Sequence, residues 1–191
     1  MRSIKIYLLL SIFSGLIAQV ASEHLYYGAS SLSMAGSDIA IPKSSWSMFV
    51  NPAGIAEQKT LSLVVSSESL FGQDYFSHAL FGVQFRVPKA GSFGLSIEDF
   101  SVDYSGNTLS RETAVGFHQG IMLRSDRNST LSFGYGIKSY TVDYGSSAGV
   151  SGDGSDGIEL GSQSSWGVDI GLLASLAERI RFGARAFNIN S

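Results

Sequence analysis

Cysteine is absent from the chain, which excludes disulfides, thiolate metal centres and an acyl anchor on a lipoprotein cysteine. Only three prolines stand against 22 glycines, a balance that suits β structure. Charged residues make up 15% of the chain, low beside the roughly 25% usual in soluble proteins. The three histidines, His24, His78 and His118, are far apart and lack the close pair that a metal site offers. No metal or other cofactor is expected. Gly145-Ser146-Ser147-Ala148-Gly149 has nucleophile-elbow spacing, but no histidine follows it to act as base. Gly152 to Ile158 looks like one calcium-binding Gly/Asp turn; such turns work as stacked copies, and a single one reads as a solvated loop. The chain is therefore expected not to be an enzyme.

What is present starts with Met1 to Ser22: Arg2 and Lys5, an apolar stretch from Ile6 to Ala18, then Val20-Ala21-Ser22 as a small-residue cleavage site. This predicts a secretory signal peptide, since the apolar stretch falls short of the roughly 20 residues needed to span a bilayer. Its removal takes two of 13 basic residues and leaves 11 against 16 acidic ones, five charges negative. Nucleic acid is not expected as a partner. Residues 23–58 sustain neither helical nor strand periodicity, yet they are too apolar for a solvated tail. Asn51-Pro52-Ala53-Gly54 predicts an extended residue, then one helical turn that Gly54 ends with positive φ.

From Lys59 onwards the chain alternates with period two. Apolar runs begin at Leu61, Ala79, Phe93, Thr113, Leu131, Trp166 and Ile180, which predicts seven strands across 59–191. The opposite faces carry glycine and charge, including Arg86, Glu98, Glu112, Lys138, Asp169, Arg181 and Arg185. These charges read as lumenal ion pairs holding strands in register, or as a substrate path. Alternation alone fits a soluble sandwich or a membrane barrel. The connections suggest the barrel: 67–76, 103–110 and 144–164 read as long, while 88–90, 125–128 and 176–178 read as short. Phe100 to Gly106 returns as Tyr140 to Ser146, offset by 40 residues, one hairpin apart, with each copy expected where a strand enters a long loop. Seven is an odd number, single-chain bacterial barrels are even, and the expectation is that the chain is the front part of a longer one.

Two blocks resemble the N-terminal signature of the FadL-like outer-membrane barrels, in particular the PorV/PorQ-like group. The first runs from Gly28 to Ala40; Ser30, Ala35 and Ser37 depart there from the family's Arg, Gly and Ala. The second, Trp46 to Ala56, is similar to the family's aromatic-Asn-Pro-Ala-Gly-Leu-Ala block. The resemblance implies an antiparallel up-and-down transmembrane β-barrel in the outer membrane of a Gram-negative bacterium, with residues 23–58 folded inside as a plug or hatch. Its partners would be outer-membrane lipid and either hydrophobic small molecules or components of a secretion system. For passage of hydrophobic molecules, Met34, Trp46, Met48 and Phe49 would line the path, beside the Asn51, Pro52 and Gly54 turn. For a secretion role, the acidic loop 143–164 would be the docking surface. The alternative is a secreted soluble β-barrel or sandwich that binds a small apolar ligand within its apolar face.

Overall fold

In the computed structural model the seven alternating runs become seven strands: β1 (Ser62–Glu68), β2 (Phe76–Val87), β3 (Gly91–Tyr104), β4 (Asn107–Ser125), β5 (Ser129–Asp143), β6 (Ser162–Leu176) and β7 (Ile180–Ala186). The structure describes residues 28–190 except 70, 71, 105, 148, 153, 154 and 178. The signal peptide expected over residues 1–22, and His24, lie outside these. Each strand pairs antiparallel with the next in sequence order, and the sheet curls into a half-barrel with β1 and β7 as its edges. β4 extends over 19 residues, far beyond the five or six usual in globular sheets.

One connection differs from the expectation. Residues 103–110 read as a long loop, yet β4 begins at Asn107, with only two residues between it and the end of β3 at Tyr104. Asp103 pairs with Thr108 and Tyr104 with Asn107, beyond a bulge at Val102/Asp103. Gly106 has φ of 83°, as two-residue hairpin loops demand. Gly106 and Asn107 thus belong to a hairpin tip and not to a long loop. The first copy of the repeat therefore enters a tight turn, whereas the second enters the 144–161 connection.

That connection is itself ordered as a narrow continuation of the β5–β6 hairpin. Tyr144 N donates to Gly161 O at 3.0 Å, Leu160 N to Gly145 O at 2.8 Å and Ser147 N to Ile158 O at 2.9 Å. Ser147 Oγ accepts from Ile158 N at 3.0 Å, so this serine is a rung of the hairpin and not a nucleophile on a strand-to-helix turn.

Ahead of the sheet lie α1 (Gly28–Ser33), α2 (Ser47–Val50) and a 3-10 turn (Pro52–Glu57). Asn51 is extended at φ −155° and ψ 106°, and Pro52 occupies the first position of the turn, as proline geometry requires. The turn does not end at Gly54. It runs on to Glu57, and Gln58 caps it. Gly54 is required for space: a methyl group there would lie 2.6 Å from Ser47 Oγ.

Candidate functional site

The two faces of the sheet have opposite surroundings. On the convex face the apolar residues of the alternating runs are exposed: Val65 is 73% exposed, Phe182 68% and Trp166 61%. On the concave face, residues 28–58 lie against the strands, and the core forms between the two. Met48, Phe49, Val50 and Ile55 from the N-terminal segment pack with Val64 and Leu80 of the sheet, with Trp46 partly buried against them. At about 1.5–3 kcal/mol per fully buried side chain, this cluster is the main apolar bond between segment and sheet.

The segment approaches so closely because six successive strands each place a glycine beneath it. A methyl group on Gly82 of β2 would meet Met48 Sδ at 2.7 Å, and one on Gly94 of β3 would meet Met48 Cβ at 3.3 Å. On Gly120 of β4 it would meet Ala56 Cα at 3.0 Å, and on Gly134 of β5 it would overlap the backbone of Pro52 and Ala53. On Gly171 of β6 it would meet Pro52 Cδ at 3.1 Å, and on Gly183 of β7 Ala40 Cα at 2.8 Å. Glycine weakens a strand interior, and it is found where another backbone must come near.

Hydrogen bonds tie the segment to the walls. The Asn51 side chain donates to Ile39 O at 2.8 Å and to Leu172 O of β6 at 3.1 Å, while its Oδ1 accepts from Ala53 N at 3.1 Å. Gln84 of β2 donates to Ser45 O, and Arg185 of β7 donates to Val50 O. Ser92 Oγ donates to Gln58 O at 3.2 Å, and Thr130 Oγ1 to Glu57 Oε1 at 3.2 Å. Glu57 also meets Lys43 Nζ at 3.5 Å. The segment is thus bonded to β2, β3, β5, β6 and β7.

Next to the glycine row, towards the β3–β4 and β5–β6 tips, lies a buried polar layer. Lys138 Nζ meets Asp169 Oδ2 at 3.0 Å, with the side chains 5% and 2% exposed. Asp169 Oδ1 accepts from Asn188 N at 3.0 Å, and Tyr140 Oη reaches Asn188 Oδ1 at 3.4 Å. His78 Nε2 lies 3.4 Å from Glu98 Oε1. Ser96 Oγ and His118 Nε2 are 2.9 Å apart. The His118 ring lies between two glycines: methyl groups on Gly116 and Gly136 would come within 2.6 Å and 2.5 Å of its nitrogens. Ser96 and His118 are 4% and 0% exposed, so this hydroxyl–imidazole pair lies in the interior. Among the described residues no group of three His, Asp or Glu side chains is placed to hold a metal ion.

Of the charges expected on the inner face, Lys138 and Asp169 form an ion pair, Glu98 meets His78, and Arg185 holds the segment and stacks on Phe187 at 3.8 Å. Glu112 pairs in register with Phe100 and Val142. Arg86 and Arg181 are exposed near the turns that join β2 to β3 and β6 to β7. Of the segment residues, Met48, Phe49, Asn51, Pro52 and Gly54 are buried, and Trp46 and Met34 are half-buried. Ser96, His118, Tyr140 and Asn188 complete the polar layer, and Gln84 holds the segment, none of them among the site residues expected from the sequence. Only the even spacing of Gln84 and His118 among the inner-face glycines pointed to them.

Compared with known proteins, the chain matches no family model, no curated protein and no solved structure. The geometry defines its class: an all-β chain whose antiparallel half-barrel turns its apolar face outward and its glycine-rich, polar face onto its own N-terminal segment. No described helix is long and apolar enough to cross a membrane, which leaves crossing by strands open.

Proposed function

We propose that the chain is an outer-membrane β-barrel protein of the FadL-like, PorV/PorQ-like kind, in which residues 28–58 act as a lumenal plug and hydrophobic molecules are handled at the plugged barrel. The observation that carries this reading is the orientation of the sheet. A large exposed apolar surface on a sheet with a polar interior suits a lipid solvent. A soluble barrel that binds an apolar ligand requires the reverse, with the apolar face inside. The resemblance of Gly28 to Ala40 and Trp46 to Ala56 to the family signature supports the same reading. In a bilayer the backbone groups at the β1 and β7 edges have to be paired.

In this reading the seated segment blocks the lumen, so that the protein is not a general diffusion pore. Passage would require the Met48, Phe49 and Ile55 cluster to part from the glycine row. The test is twofold. Cells expressing the protein are fractionated, and the full chain should be recovered in the outer membrane with a heat-modifiable mobility; recovery in the soluble periplasm would sink the membrane reading. Uptake of a hydrophobic substrate is then compared with that of Trp46→Ala and Phe49→Ala variants, and unchanged uptake would remove the path.

A second reading, an accessory barrel of a secretion system, is favoured by the 144–161 hairpin. It carries acidic residues without basic ones, and Val150 and Ile158 are 99% and 77% exposed on it. Deleting the hairpin without loss of surface-protein delivery would exclude this role.

A further inference from the structure

Basic and acidic residues are segregated along the strand axis. The connections β2–β3, β4–β5 and β6–β7, three residues each, lie at one end of the sheet, and the β3–β4 turn and the 144–161 hairpin at the other. In and beside them stand Arg86, Lys89, Arg124, Arg127, Arg179 and Arg181, all exposed. Against these six, the same stretches contain two acidic residues, Asp126 and, by sequence, Glu178. Asp126 is engaged by Arg124 at 2.5 Å. The opposite end is acidic, with Glu68, Asp74, Asp103, Asp143, Asp156 and Glu159; Arg111, which lies across from Asp143 there, is ion-paired with Asp99.

The basic residues border the apolar face. Leu123 adjoins Arg124 and Ile180 adjoins the turn residue Arg179, while Arg181 alternates onto the inner side of the rim between Ile180 and Phe182; these apolar side chains are 58%, 50% and 68% exposed. Such an edge lets an aliphatic stem lie on apolar surface while its charged head reaches a polar layer. The arrangement recurs at three successive hairpins around the rim, which distinguishes it from one compact patch for a soluble acidic partner.

From this we infer that the end formed by the β2–β3, β4–β5 and β6–β7 turns is a collar that binds anionic phospholipid headgroups and so fixes which end of the barrel lies in which leaflet. The inference rests on the membrane reading above. Each basic residue near an anionic lipid surface contributes an attraction worth about fivefold in binding. The acidic end has no such attraction and is repelled by the same lipids.

The experiment uses the full chain and a variant carrying Lys89→Gln, Arg127→Gln and Arg179→Gln, three exposed turn positions outside the glycine row and the polar layer. Each is added to vesicles of phosphatidylcholine alone and of phosphatidylcholine mixed with phosphatidylglycerol, and the lipid concentration at half-insertion is read. Expected is a clear preference of the parent for phosphatidylglycerol that disappears in high salt and falls by about tenfold or more in the variant. Insertion into both vesicle types with equal midpoints, or an undiminished preference in the variant, overturns the collar and leaves the membrane reading standing. Failure of both proteins to enter either vesicle overturns the membrane reading and the collar with it. Binding of polyglutamate with no preference for phosphatidylglycerol would replace lipid with a soluble acidic partner.

Discussion

Gly134 of β5 lies directly beneath Pro52, so that a single methyl group on this glycine would overlap the backbone of Pro52 and Ala53. The contact is between main chains and no flexible side chain can yield. Gly134→Ala is expected to lift the 3-10 turn from the sheet at the 1–3 kcal/mol typical of overpacking. Limited proteolysis after Lys43 and Lys59 checks it: cleavage should accelerate in Gly134→Ala and stay at the parent rate in Ser139→Ala, an exposed position of the same strand.

Asn51 uses its amide as two donors and one acceptor at once. Aspartate has the same shape but would turn acceptor oxygens towards the carbonyls of Ile39 and Leu172 and carry a charge into a site only 2% exposed. Asn51→Asp should therefore destabilise more than Asn51→Ala, whose cost is the roughly 1–3 kcal/mol of unsatisfied buried groups. Urea midpoints of the two variants decide it; equal midpoints would show that the amide bonds are not holding the segment.

The Lys138–Asp169 pair is almost fully buried, so removing one partner strands the other charge. Lys138→Met and Asp169→Leu alone should each cost about 3–5 kcal/mol, while the double variant should recover most of that loss. A double-mutant cycle on unfolding free energies measures this, and additive losses would show that the two charges act independently.

At the tip of the long hairpin, hydrogen bonds from Ser151, with a backbone N–H of Val150, hold the Asp156 carboxyl below the usual carboxylate range. A carboxyl with a depressed pKa lends its stabilisation above the unfolded value of 3.8 and loses it as pH falls through the folded value. Amide-exchange protection of Val150 and Ser151 should thus be steady near neutrality and collapse only below about pH 4. In Asp156→Asn this acid step should vanish.

Much of the fold was legible because one physical signal dominates it. Period-two alternation marked all seven strands from residue 59 on, since each has one apolar and one glycine-polar face. The β3–β4 tip is not legible in the sequence because, past the apolar zone, Asp103 to Ser110 loses the contrast between faces and composition points to a loop. The role of Gly54 is hidden for a related reason: sequence suggests a glycine's backbone freedom, but not the neighbouring Ser47 Oγ that its missing side chain makes room for. The inner charges were visible as a set, while their pairing was not. That Lys138 meets Asp169 follows from the β5–β6 register, in which Lys138 faces Gly167 and Gly136 faces Asp169, and no local pattern encodes that register. Which face would be outermost was equally open, because alternation is symmetric under exchange of inside and outside.

The row of glycines has a consequence for how this sequence can change over time. On the outward face, leucine, valine, phenylalanine and isoleucine can replace one another with little effect, because no described segment packs over it. One residue further along the same strand, at Gly120, Gly134 or Gly171, even alanine meets main-chain or proline atoms of the segment. Substitution tolerance along each strand should therefore flicker on and off with every residue, and the silent positions should trace the outline of residues 39–58 across the inner wall like a cast of the object it holds.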